Sequence, residues 1–222
     1  MNIAIAIDGP AGAGKSTIAK LAAKELSFIY IDTGALYRAI GLYVYRNGVD
    51  SKDVEKILPM LEEINVSLDF NDKGEQIVLL NSEDVSSLIR TPEISMYASD
   101  VSAIPQVRAF LLDLQRNMAK TNNVIMDGRD IGTVVLPDAK IKIFLTASAE
   151  IRAKRRYDEL IEKGMDVKYD DVLQDVITRD YNDSHREVAP LKPAEDCIYV
   201  DTSDLDLEQS VQKLISIMKE NM

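Results

Sequence analysis

Residues Gly9-Pro10-Ala11-Gly12-Ala13-Gly14-Lys15-Ser16 satisfy the spacing G-x-x-x-x-G-K-[ST] at every fixed position. Glycines at those places let backbone N–H groups curl around phosphate oxygens where a Cβ would intrude. A helix opening at about Lys15 would point its positive end at the same anions. Lys15 supplies a cation for the outer phosphates, and Ser16 offers a hydroxyl to Mg²⁺. The chemistry implied is the holding of a nucleoside triphosphate, which motors, GTPases and small-molecule kinases share. No N/T-K-x-D guanine-reading motif is present, which argues against a switch GTPase. Asp127 closes the apolar run "VIMD", from which a carboxylate can hold the Mg²⁺ shell.

Two further stretches could serve a second substrate. "DTGALYR" (32–38) follows an apolar run; Thr33 is expected to cap a helix and Gly34 to turn the chain into it. "DGRDIGTVV" (127–135) follows another, with Arg129 and Asp130 projecting from the turn. Arg38 and Arg129 would suit an anionic acceptor, because a guanidinium binds phosphate bidentately.

The elements that must position these residues are legible as an alternation. "IAIAI" (3–7), "FIYI" (28–31), "VIM" (124–126), "IKIFL" (141–145) and "CIYV" (197–200) read as short strands covered on both faces. Helical patterns run over 15–26 and 105–120, and Thr91-Pro92 reads as a helix start. Such alternation predicts an α/β fold with a parallel sheet flanked by helices. Two regions depart from it. Residues 64–85 alternate around "NDKG" as a small antiparallel unit. Residues 149–186 are helical and highly charged, with Arg152, Arg155, Arg156, Arg179 and Arg186.

Composition bounds the partners. Of 222 residues, 46% are hydrophobic and 28% charged, enough for a sizeable core, and the net charge of −11 disfavours nucleic acid polymers and anionic membranes. The single cysteine, Cys197, cannot form an intrachain disulfide and is expected to be a buried small hydrophobe. No basic-plus-apolar leader opens the chain and no apolar run nears the ~20 residues of a bilayer span, so the expectation is a cytoplasmic protein.

The cradle together with "DTGALYR", "SDVSAIPQVR" (99–108), "DGRDIGTVV" and "RDYNDSHREVAPL" (179–191) resembles the cytidylate kinase family, the bacterial type of CMP kinase, over essentially the whole chain. The resemblance implies a P-loop kinase domain: core 1–60, 91–149 and 189–222, a small β-containing insertion at about 61–90, and a helical lid at about 150–188. It implies a monomer that phosphorylates CMP or dCMP with ATP and Mg²⁺. ATP would lie on Gly9 through Ser16 and Thr17, with Ser16 and Asp127 at the metal. CMP would meet Thr33, Tyr37, Arg38, Ser99, Arg108, Arg129, Asp130, Arg179, Asp183 and Arg186. Lys15, Asp127, Arg152 and Arg156 would be catalytic, and which of Arg152, Arg155 and Arg156 reaches the transferring phosphoryl group is left open. His185, the only histidine, is expected to be exposed filler rather than a proton shuttle. Two alternatives remain: a kinase for another small acceptor such as UMP or a non-nucleotide acid, and a nucleotide-dependent regulator or ATPase acting through a partner.

Overall fold

Strand β1 (Ala4–Asp8) is apolar along its length and almost wholly buried, as a central parallel strand must be. The computed structural model describes residues 2–72 and 76–222. After β1 the chain runs through α1 (Lys15–Leu26), β2 (Ile29–Asp32), α2 (Thr33–Arg46), α3 (Val54–Met60), β3 (Val66–Phe70), β4 (Gln76–Leu80) and β5 (Glu83–Asp84). There follow α4 (Pro92–Val101), α5 (Pro105–Thr121), β6 (Val124–Gly128), a π-helical turn (Ile131–Val135), β7 (Ile141–Thr146), α6 (Ala149–Glu162), α7 (Tyr169–His185), β8 (Ile198–Asp201) and α8 (Leu207–Asn221). The main sheet has the order β2-β6-β1-β7-β8, and the β1–β6, β1–β7 and β7–β8 pairs are parallel. This is the α/β class expected, with each predicted strand found within a residue or two.

The chain packs as two units, one formed by the chain up to Tyr30 together with Asn122–Met222, the other by Ile31–Thr121. In the first, Ile5, Ile7, Ile125 and Ile143 of the sheet pack with Ile18 of α1 and Leu214 of α8. Cradle residues and the β6–π-turn loop therefore sit at strand ends whose own residues are fixed by a buried core. Within the same unit α6 and α7 share a small separate cluster of Ala153, Leu160, Val172 and Val176.

In the second unit, β3, β4 and β5 form an antiparallel sheet. The turn expected at "NDKG" (71–74) runs into residues 73–75, which lie outside the described residues. The small sheet does not pack alone: Val66, Val78 and Leu80 share one core with Leu36 and Ile40 of α2 and Leu111 of α5. Alternation along β3 and β4 supplies the apolar face, and α2 and α5 cover it. Among the described residues no helix is long and apolar enough to cross a membrane.

Candidate active site

Helix α1 begins at Lys15 without a side-chain cap and without an acidic residue in its first turn. By contrast α2, α4, α6 and α8 are capped by Asp32, Thr91, Ser148 and Asp206. An N-terminus left to external acceptors suits an anion. The turn before it requires glycine: a Cβ on Gly9 would lie 1.9 Å from the Leu145 carbonyl oxygen, and Gly12 has φ 74° with Arg152 Cβ 3.3 Å from where its own Cβ would be. Lys15 is buried and its Nζ donates to the Pro10 carbonyl at 2.8 Å, so the ammonium is folded back over the cradle.

Ser16 Oγ donates to Asp127 Oδ2 at 2.9 Å, and the Tyr30 hydroxyl donates to Oδ1 at 2.8 Å. The expected metal pair is thus in contact within one unit. A hydroxyl and a carboxylate are hard oxygen donors, the set that suits Mg²⁺ arriving with a triphosphate.

Beyond β6, Arg129 Nε donates to Asp183 Oδ2 at 2.8 Å and Nη1 to the Gly128 carbonyl at 3.3 Å. Arg186 lies 3.6 Å from Asp130 and donates from Nε to the Ala189 carbonyl. Burial pushes the Asp183 carboxyl up, but Arg129, with Arg179 and Arg186, outweighs it and holds the group below the usual carboxylate range. Burial, then the neighbouring Arg129, lowers Lys15 to about 7. Crowded buried cations of this kind gain from an incoming anion. Arg129 and Asp130 are therefore linked by charge to Arg179, Asp183 and Arg186, although Arg129 and Asp183 stand 54 positions apart in sequence.

Helix α6 sorts its arginines by depth. Arg152 is buried and donates to the Ala147 and Ala11 carbonyls and bidentately to Asp180, at 2.9 and 2.5 Å. Arg155 donates to the Thr202 carbonyl at 3.0 Å. Arg156 pairs with Glu159 at the surface, 3.2 Å away. Arg152 and Arg156, four positions apart, share one face of the helix, and of the three it is Arg152 that donates to the cradle backbone, at Ala11. His185 is exposed and stacks on Tyr181 with centroids 4.0 Å apart.

In the other unit the α2 cap differs from expectation. Asp32, not Thr33, accepts from the Ala35 N–H, and Thr33 is the first helical residue. A carboxylate is the stronger acceptor, and Asp32 also accepts from Arg38 Nη2 at 2.8 Å. Gly34 makes no left-handed turn; a Cβ there would meet Arg38 Nη1 and Asp32 Oδ1 at 3.2 Å, so its absence leaves room for the ion pair. Arg38 Nε is buried and has no hydrogen-bond partner among the described residues, which marks a donor oriented by Asp32 with hydrogen-bonding capacity left over. Arg90 also approaches Asp32, at 3.4 Å. Arg108 is buried, donates to the Ser102 carbonyl and lies 5.6 Å over the Tyr37 ring. Ser99 is half-buried on α4, its carbonyl accepting from Ser102.

Cys197 is half-buried just ahead of β8, not a core residue, because the strand begins one residue later and at the sheet edge. Residues that sequence reasoning passed over are Asp8, Tyr30, Asp32, Arg90 and Asp180. Asp32 and Asp180 lay inside stretches already singled out, and Asp8 stood next to the first motif glycine; nothing in the spacing pointed to Tyr30 or Arg90.

A model of the family described as cytidylate kinase matches residues 5–220. A cytidylate kinase of Caldicellulosiruptor saccharolyticus is 56% identical over 97% of this chain and 95% of its own. One from Carboxydothermus hydrogenoformans is 51% identical over 96% of each chain. Among solved structures, an uncharacterized protein from Eubacterium ventriosum superposes with a TM-score of 0.52 at 14% identity, covering 98% of this chain and 99% of that one, a likeness of fold alone.

Proposed function

The chain belongs to the cytidylate kinase family, ATP-dependent enzymes that phosphorylate CMP, and we propose from this premise that it converts CMP to CDP, and dCMP to dCDP, by one direct in-line transfer. The observation that carries the mechanism is the cradle with Lys15 folded over it and Ser16 joined to Asp127. Phosphoryl transfer passes through a loose transition state, so positioning and charge dominate. The backbone of Gly9 to Thr17 holds the triphosphate. Lys15 turns from the Pro10 carbonyl to the outer phosphates. Arg152, anchored on the cradle through the Ala11 carbonyl, and Arg156 stabilise charge on the moving group. Mg²⁺ would be held by Ser16 and Asp127 and would supply charge neutralisation between the phosphates.

For the acceptor, Arg38 and Arg129 bind the monophosphate with Arg186, and Thr33 and Tyr37 line it. Arg179 and Asp183 take the ribose, and Ser99, Arg108 and Asp130 read the base. A carboxylate accepts only, so Asp130 accepts from the 4-amino group of cytosine and opposes the 4-carbonyl of uracil. The α6–α7 pair acts as a lid that excludes water, which matters because hydrolysis of ATP competes with transfer.

A coupled ADP-release assay with CMP, dCMP, UMP, AMP, shikimate and no acceptor tests the reading. CMP and dCMP should drive turnover far above the rest. Acceptor-independent turnover, or equal use of UMP, overturns it. Asp130→Asn should lower kcat/KM for CMP and narrow the CMP/UMP gap by about tenfold or more, because an amide can donate to the uracil carbonyl.

A further inference from the structure

Asp8 closes β1 and is followed at once by the first glycine of the cradle. Its carboxylate is buried, and each oxygen accepts a backbone N–H at 2.7 Å: Oδ1 from Ile131 and Oδ2 from Gly132. Those donors are the first two residues of the π-helical turn that follows Arg129 and Asp130. Asp130 occupies the cap position of that turn, yet its side chain makes no cap bond and lies toward Arg186 instead. Asp8 thus performs, from a different strand, the service a cap residue usually performs. It also holds the loop at its other end, since β1 and β6 pair with Asp8 in register with Gly128. With both oxygens occupied by N–H donors, Asp8 is badly placed to serve as a base.

We infer that Asp8 is a positioning residue that fixes the 128–132 loop to the cradle and, by capping the turn, releases the Asp130 carboxylate for the acceptor nucleotide. A buried carboxylate is a costly way to cap a turn, and burial raises this one to about 6 despite the two donors. Asp8 therefore supports two subsites unequally. The cradle keeps its own glycine-determined shape without it, whereas Arg129 and Asp130 depend on the loop it pins. The inference rests on the reading that Arg129 and Asp130 contact CMP.

Steady-state kinetics with CMP and ATP varied separately tests it, on the parent, Asp8→Asn, Gly132→Ala and Arg129→Ala. Asn keeps one acceptor and sets an NH₂ against the other backbone N–H, so KM for CMP should rise about tenfold or more while KM for ATP stays within about twofold. In Gly132→Ala the added Cβ would come 3.4 Å from Asp8 Oδ2 and 3.2 Å from Lys142, and a smaller rise confined to CMP is expected. A merely structural Asp8 would lower stability without this split. Equal rises in both KM values, or an unmoved KM for CMP where Arg129→Ala raises it, overturn the inference. If Arg129→Ala leaves KM for CMP unmoved, the CMP reading of the loop has failed, and amide exchange at Ile131 and Gly132 then decides: lost protection in Asp8→Asn supports the strut, and retained protection overturns it. Should Asp8→Asn not fold, Gly132→Ala carries the same split.

Discussion

The phosphate cradle and the α6–α7 pair both concentrate positive charge, but they hold it by different means. In the cradle the charge is backbone N–H groups and one lysine, shaped by glycines over residues consecutive in sequence. In α6–α7 it is arginines whose positions are set by carboxylates and carbonyls elsewhere in the unit: Arg152 by Asp180 and Ala11, Arg155 by Thr202. The first arrangement depends on glycines at positions where the positive φ or a close neighbour leaves no room for a Cβ. The second is as firm as the ion pairs and the small apolar cluster that support it.

The sharpest break is Lys15→Ala. If the cradle keeps its form through its glycines, removal of the lysine should leave the fold intact and cut the rate by ~10²–10³. Rate and thermal melting measured on one preparation decide this; activity within a few-fold of the parent would remove Lys15 from its role.

The difference also explains what the sequence allowed one to see. A cradle written in nine consecutive residues is legible because its fixed residues stand at a fixed spacing, although part of what excludes a Cβ at Gly9 and Gly12 comes from distant Leu145 and Arg152. The strands were legible for a similar reason, since burial on both faces demands short apolar runs. Asp8, Tyr30 and Asp180 were not, because their roles come from partners 123, 97 and 28 positions away. The expectation of Thr33 as a cap failed because two adjacent residues could both do it, and the choice fell to the one that also orients Arg38. The arginines of α6 were visible as a set, but their depths depend on where Asp180 and Thr202 come to lie.

On the side held by ion pairs, Asp183→Asn should lower stability at neutral pH by about 2–4 kcal/mol, because it leaves the Arg129 guanidinium without its counter-charge. At this chain length that is a fall in Tm of roughly 10 °C. The Asp183 carboxyl sits below its ordinary value of 3.8 in the folded protein. Its contribution is therefore complete at neutral pH and is lost as pH drops below about 4 through the folded pKa. Melting followed from pH 7 to pH 3 should show a steeper acid loss in the parent than in Asp183→Asn; parallel curves would mean that Asp183 titrates alike folded and unfolded.

Amide exchange should separate the two regions directly. Residues 150–188 should exchange faster than β1 and β6, whose residues are buried on both faces, and should gain protection when ATP and CMP analogues bind together. Uniform protection in the ligand-free protein would contradict a mobile lid.

The finest test sits within α6. Arg152→Ala would remove a bond to the cradle, a bidentate ion pair and a buried side chain at once, so a loss of rate could not be divided among them. Arg156 offers a cleaner cut. Among the described residues it pairs with Glu159, three positions on at the helix surface, a kind of pair worth only about 0.2–0.5 kcal/mol. Arg156→Ala should thus shift Tm by no more than about 2 °C. If the side chain swings to the transferring phosphoryl group when the lid closes, kcat should fall about tenfold, the loss of one charge-assisted hydrogen bond made in the transition state, with KM for both substrates nearly unchanged. A parental kcat would instead leave Arg156 a solvated partner of Glu159 and assign the lid's cation to Arg152 or Arg155. Because stability hardly enters, whichever result is obtained measures chemistry alone.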